Sequence, residues 1–222
     1  MSHLIDATEM YLRTLYELEE EGIRPIRARL VERLHLSAPA VSETVARLEQ
    51  EGLMKLRDDR TVELTHEGRA RAVSVMRKHR LAERLLVDVI GLRWDLVHAE
   101  ACRWEHVISD EVEQRLVDVL DAPTHDAHGN PIPGLGPPSE PSELLSLTDA
   151  ASEDEPVIVD RISEHLQNNA GGIAQLYELG LRPGTRLMAH QEGGAVVVDT
   201  GDRTSRLDEE AARFVYVRPA LP

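Results

Sequence analysis

Between His79 and His106 the chain carries six side chains able to ligate a metal, set at helical spacing. His79 and Glu83 stand four apart, and His98, Cys102, Glu105 and His106 follow at i, i+4, i+7 and i+8. At about 100° per residue, the last four fall within an arc of about 100° on one helix face. Cys102 is the only cysteine among 222 residues. The surrounding segment is otherwise apolar, and Leu81, Leu85, Leu86, Val89, Ile90 and Leu92 read as core. A half-buried face of imidazoles, carboxylates and a thiol either coordinates an ion or carries a large desolvation cost. Solvated helix charges and one core cysteine would explain any single residue of the set. The six together point to metal binding.

The elements that must position them follow from periodicity and caps. Residues 3–21 keep a 3.6 period through Leu4, Ile5, Met10, Tyr11, Leu15 and Leu18, and Gly22 ends that helix. After Pro25, residues 27–34 predict a short helix with Ala28, Val31 and Leu34 inward. Ser37 is a suitable N-cap for the next helix, where Pro39 is tolerated in the first turn and Val41, Val45 and Leu48 form a stripe ending near Gly52. Two helices joined by about three residues are the helix-turn-helix pattern. Residues 53–56 and 61–64, around the turn Arg57-Asp58-Asp59-Arg60, predict a hairpin that reads as the wing. Thr65 then caps a long helix to about residue 92, and a further helix covers roughly 95–108. Ser109 caps another, with Asp110, Glu111 and Glu113 favouring its dipole. Six prolines fall between Pro123 and Pro141, and acidic and small residues run on to Glu155, which predicts a strap and then a flexible linker. From Val157 the pattern is short strands with glycine turns, as in a small barrel.

Charge and cysteine usage narrow the class. The net charge of −15 is uneven: residues 24–80 carry thirteen Lys and Arg against eight Asp and Glu, a net of +5 that leaves −20 elsewhere. A basic segment holding arginines 27, 29, 47, 57 and 60 gives an acidic protein one face suited to a polyanion. A single cysteine excludes an intrachain disulfide and fits a reducing compartment. The sequence shows no signal-peptide pattern and no stretch apolar enough to span a bilayer, so a cytoplasmic protein without a membrane partner is expected. A hydrolytic zinc enzyme would need an open coordination position and a nearby general base. No separate acid/base constellation accompanies the metal ligands, and a basic helix-turn-helix would be left unexplained. The expectation is a DNA-binding regulator, not an enzyme.

Three strings then carry a specific resemblance: DATEMYLRTLYELEEEGIRPIRARLVERL, VMRKHRLAERLLVDVIGL, and HAEACRWEHVISDEVEQRLVDVL with GNPIPGL. They resemble the diphtheria toxin repressor and iron-dependent regulator family almost continuously over residues 1–135. Residues 154–222 resemble its SH3-like domain more loosely. The resemblance implies a mainly α fold: a winged helix over 1–73, a dimerisation and metal-binding region over 74–139, a linker over 140–154, and an SH3-like β-barrel over 155–222. It implies two metal ions per subunit. The regulatory ligands would be Met10, Cys102, Glu105 and His106; the ancillary ones His79, Glu83 and His98, with Glu164 and Gln167 supplying an E-x-x-Q pair. Two sulfur ligands suit Fe(II), with Co(II), Ni(II) or Zn(II) as substitutes, better than Mn(II). A manganese-responsive regulator of the same family, with a carboxylate at positions 10 and 102, is the alternative.

For DNA, the resemblance implies that Ser37 and Pro39 meet thymine methyls and that Ala40, Ser42, Glu43 and Arg47 lie along the reading helix. Arg27, Arg29, Arg47 and Arg60 would clamp phosphates. Two positions depart from close relatives: Glu43 replaces Gln, and Ala40 replaces Thr. A carboxylate accepts from cytosine N4, whereas glutamine pairs with adenine. Asp126 replaces a serine beside Arg80 and Asn130, so the family's anion pocket is not expected here. The whole reads as an iron(II)-dependent repressor of iron-homeostasis genes, a homodimer on palindromic operators.

Overall fold

The computed structural model describes residues 7–136, 144–152 and 155–220. The chain divides into two compact units, Met1–His79 with Cys102–Glu113, and Arg80–Ala101 with Gln114–Pro222.

The first unit is built on a winged helix. Helix α1 (Ala7–Glu20) precedes α2 (Arg27–Leu34) and α3 (Ala38–Gln50), and the hairpin β1 (Met54–Leu56) and β2 (Val62–Leu64) follows. The expected helical start at residues 3–6 lies outside the described residues. The stripes meet in one core: Leu12, Leu15 and Leu18 of α1, Leu30 of α2, Val41, Val45 and Leu48 of α3, with Met54 and Val62 of the wing. Each such side chain, fully buried, contributes about 1.5–3 kcal/mol. Ser37 caps α3 by accepting from the Ala40 amide at 3.4 Å. The hairpin pairs Met54 with Leu64 and Leu56 with Val62, and a bridge from Ile26 to Thr61 extends it. On α2, Leu30 is fully buried while Ala28 is exposed. The inward face is therefore Leu30, Val31 and Leu34, shifted from the expected one because leucine buries more apolar surface than alanine.

Helix α4 (His66–Asp88) begins after Thr65, whose hydroxyl accepts from the Gly68 amide at 3.1 Å. It stops short of residue 92; Gly91 has φ +73°, the left-handed conformation glycine adopts without strain. Val89 and Ile90 are 59% and 56% exposed, not core as expected. The expected helix over 95–108 is also broken up. A 3-10 turn (Trp94–Leu96) leads into α5 (Val97–Trp104), and Glu105 and His106 stand in the turn beyond it. The four side chains His98, Cys102, Glu105 and His106 therefore do not share one helical face. Helix α6 (Asp110–Val119) follows Ser109, which accepts from the Val112 amide at 3.3 Å.

The second unit is dominated by a six-stranded antiparallel sheet. In chain order its strands are β3 (Leu145–Ser146), β4 (Val157–Ile162), β5 (Arg186–Glu192), β6 (Ala195–Asp199), β7 (Thr204–Asp208) and β8 (Val215–Pro219), arranged β3-β8-β4-β5-β6-β7. No ladder joins β3 to β7 among the described residues, so the expected barrel is an open sheet. It also starts within the expected linker: Leu145 pairs with Val217, and α7 (Leu147–Ala150) buries Leu147 and Ala150. Apolar side chains in that segment gain more from the core than from solvent. Pro137, Pro138 and Pro141 lie outside the described residues. Two short helices, α8 (Glu164–Gln167) and α9 (Ala170–Leu179), follow β4, and α10 (Glu209–Ala212) precedes β8.

The strap before Pro131 is seated on this sheet. The Ile162 amide donates to His128 O at 2.9 Å, and Asn130 Nδ2 donates to Ile162 O at 2.9 Å. Gly129 (φ +88°) leaves no room for a side chain, since a Cβ there would lie 2.1 Å from Asp160 O. Trp94 joins the sheet's core and donates its Nε1–H to Ala127 O at 2.7 Å.

Candidate metal centre and nucleic-acid interface

In the first unit, α1 brings its polar face to the segment after Ala101. Arg13 Nη1 donates to both carboxylate oxygens of Glu105, at 2.9 and 2.8 Å, and lies 3.4 Å from Cys102 Sγ. Glu9 Oε2 is 2.5 Å from His106 Nδ1. Glu105 also meets His106 Nε2 at 3.2 Å and His79 Nδ1 at 2.6 Å. Met10, half-buried, follows Glu9 on the same turn of α1. These contacts bring Cys102, Glu105 and His106 to one end of α1. Burial alone would raise the Glu105 carboxyl, but Arg13, His106 and His79 together hold it well below the usual carboxylate range. His106 is raised above the ordinary imidazole value by Glu105, against the effect of burial, with Glu9 adding to it. The ionised Glu105 carboxylate thus stands beside the His106 imidazole and shares the Arg13 guanidinium with Cys102, and a divalent cation held by these groups would have to take the place of the His106 proton.

A second cluster lies in the other unit. Glu83 Oε1 is 3.1 Å from His98 Nδ1, and that nitrogen is 3.3 Å from Glu164 Oε2. Glu83 Oε2 is 3.0 Å from His128 Nδ1. Asp126 accepts from the amides of His128 and Asn130, at 2.7 and 2.8 Å, and its other oxygen lies 3.7 Å from Arg80 Nε. Arg80 Nε also reaches Glu164 Oε1 at 3.2 Å. Asp126 and Glu164, both buried, thus face one guanidinium, while Glu83, also buried, lies against His98 and His128. The excess of negative charge is felt: burial and Glu83 push the Asp126 carboxyl up to about 7. Gln167 turns Nε2 to Ile162 O at 2.8 Å and leaves a buried Oε1 with no hydrogen-bond partner, as is His128 Nε2. An unpaired buried carbonyl oxygen on the same short helix as Glu164 is a group that a hard or borderline cation satisfies and an apolar core does not.

Sequence reasoning missed Glu9, Arg13 and His128, and placed Asp126 only as a departure. His128 sits in a loop without periodicity; its one signal is the adjacent Gly129, held close to Asp160. His79 stands on α4 one turn before Glu83.

The residues expected to read DNA lie on the outward face of α3. Ser37, Pro39, Glu43 and Arg47 are exposed and Ala40 and Ser42 half-buried, opposite the Val41, Val45 and Leu48 stripe. Arg29 pairs with Glu32 at 2.6 Å and Arg47 with Glu51 at 2.7 Å, both exposed pairs of small worth that a phosphate can displace. Arg27 and Arg60 have no ion-pair partner among the described residues, and Arg60 tops the wing with φ +70°.

Family models match in three places. "Iron dependent repressor, N-terminal DNA binding domain" covers residues 3–62, and "Iron dependent repressor, metal binding and dimerisation domain" covers 65–134. "FeoA domain" covers 145–219. The chain belongs to the iron-dependent repressor family. Family members of this kind are DNA-binding transcriptional repressors and not enzymes; their partners are operator DNA and a second copy of the chain. The iron-dependent repressor IdeR of Mycobacterium tuberculosis is 50% identical, the match covering 98% of this chain and 99% of that protein. The diphtheria toxin repressor of Corynebacterium efficiens is also 50% identical, covering 98% and 97%. A solved structure described as a manganese-dependent transcriptional repressor in complex with manganese is 30% identical with a TM-score of 0.82, covering 96% of this chain and all of that one. No helix among the described residues is long and apolar enough to cross a membrane.

For an iron-dependent repressor with these surfaces, binding should weaken steeply with salt through counterion release. Arg60→Asn, which keeps a residue tolerant of positive φ, should flatten the slope of log K against log salt by about one and affect all sequences alike. Glu43→Gln should instead tighten binding and change the preferred bases. Gel shifts on a randomised operator library read both, and an unmoved base preference would place residue 43 outside the groove.

Proposed function

We propose that this family member is an Fe(II)-activated repressor of iron-homeostasis genes, acting in the cytoplasm as a homodimer on palindromic operators. The observation that carries the reading is the donor set gathered at α1: the Cys102 thiol, the ionised Glu105 and His106, with the Met10 thioether on the adjoining turn. Two sulfur donors beside one imidazole and one carboxylate favour Fe(II), Co(II), Ni(II) or Zn(II) over Mn(II). The roughly 50% identity to iron-dependent repressors, against 30% to a manganese-dependent one, supports the same choice. A second ion per subunit would be held by Glu83, His98, Glu164 and Gln167, with His79 one turn before Glu83 on α4.

A bound ion supplies a divalent charge shared by ligands from two separate elements. Met10 belongs to α1, whereas Cys102, Glu105 and His106 belong to the end of α5 and the turn after it. Joint ligation therefore ties α1 to that segment. The opposite face of α1 buries Leu12, Leu15 and Leu18 in the winged-helix core, so fixing α1 fixes α3. Binding of ion and DNA are then linked, each favouring the other by the same factor. Gel shifts on genomic fragments, run anaerobically, test this: specific shifts should appear with Fe(II), vanish with a chelator and return on re-addition. Specific binding that persists in the chelated protein contradicts the reading.

A further inference from the structure

We propose that Arg13 sets the metal threshold of the regulatory site, its guanidinium serving as a resident cation that an incoming divalent ion must displace. This rests on Met10, Cys102, Glu105 and His106 being that site. Arg13 Nη1 contacts two of those four groups at once, the Glu105 oxygens at 2.9 and 2.8 Å and the Cys102 sulfur at 3.4 Å. A first-row divalent ion held by carboxylate and thiolate sits about 2.0–2.3 Å from oxygen and sulfur. The space between these ligands is where Nη1 stands, so ion and guanidinium exclude each other by volume. They also repel: Arg13 is 7% exposed, and two cations in a buried site are weakly screened. Arginine cannot yield by losing its proton, as lysine can, and so must move.

The surroundings provide somewhere to go. Arg13 Nε donates to Glu17 Oε1 at 2.6 Å, one turn further along α1. The guanidinium can release Glu105 and keep a carboxylate partner, which makes the exchange reversible rather than disruptive. At low metal Arg13, together with His79 and His106, satisfies the buried Glu105 carboxylate and offsets its desolvation cost. The ion must outcompete that charge-assisted pair, and the concentration at which it does so rises accordingly.

The test is an anaerobic Co(II) titration of the full-length dimer, read by the cobalt–thiolate charge-transfer absorption of Cys102. In Arg13→Gln the midpoint should fall by about tenfold or more, the size of a lost charge-assisted competitor, with the band unchanged. Arg13→Lys, which keeps the charge but not the fork, should lie between. Glu17→Gln removes the carboxylate that would hold the displaced guanidinium and should raise the midpoint. An Arg13→Gln midpoint equal to or above wild type, with the band intact, overturns the proposal, as does a Glu17→Gln midpoint that stays or falls. Absence of the thiolate band in the wild-type protein would instead overturn the assignment of the site itself.

Discussion

Replacing Cys102 by alanine is expected to lower Fe(II)-activated operator binding by tenfold or more, at least about 1.4 kcal/mol, while leaving a folded dimer. Cys102 is half-buried and belongs to neither hydrophobic core, so removing its sulfur opens little void. The loss falls on ligation. On the proposed ligand set Met10, Glu105 and His106 would remain, but the anionic one of the two sulfur donors would be gone. Met10→Ala should behave alike from the other side, because it removes the ligand that α1 would give the ion. Circular dichroism and gel filtration check the fold and dimer, and anaerobic gel shifts check binding. Unchanged activation by Fe(II) in Cys102→Ala would remove this residue from the ligand set.

The second large effect is expected from Glu164→Ala combined with Gln167→Ala. Glu164 bridges Arg80 and His98, and removing one partner of a buried ion pair commonly costs about 3–5 kcal/mol. Part of that appears as lost stability of the second unit, so Glu164→Gln, similar in volume, is the companion variant. In calorimetric metal titrations the weaker class of sites should fade in both, while the stronger class keeps its stoichiometry. Operator binding should then need more metal and lose steepness. Deleting residues 145–222 is a blunter experiment, because Trp94 belongs to the core of that sheet and would be exposed. A double variant with both binding classes intact would show that Glu164 and Gln167 serve the fold alone.

How much of this could be read from the chain follows from the range of the forces involved. Ser37, Thr65 and Ser109 announced their helices because capping is local, a matter of three residues. The hairpin from Met54 to Leu64 was legible for the same reason. Ala28 misled, since periodicity alone does not say which neighbouring position the core will take when Leu30 stands two residues on. The single face proposed for His98 to His106 failed at Trp104, where the helix stops and the last two ligands pass into a turn. What the sequence could not show was Arg13 against Glu105, 92 residues away, or His128 against Glu83, 45 residues away. Neither pairing leaves a periodic trace; both arise where separate elements meet. The open sheet and the early strand at Leu145 belong to the same class, since edge pairing depends on which distant strand is free to receive it.

If Met10 and Cys102 ligate the regulatory ion, their sulfur makes this repressor answer to iron before manganese. The direct measurement is fluorescence anisotropy of labelled operator DNA, titrated anaerobically with Fe(II) and, separately, with Mn(II). Wild-type protein should be activated at a lower free concentration of Fe(II) than of Mn(II), and Cys102→Asp, which exchanges a soft donor for a hard one, should narrow or reverse that order. Wild-type activation by Mn(II) at the same or lower concentration than Fe(II), unmoved by Cys102→Asp, would contradict it.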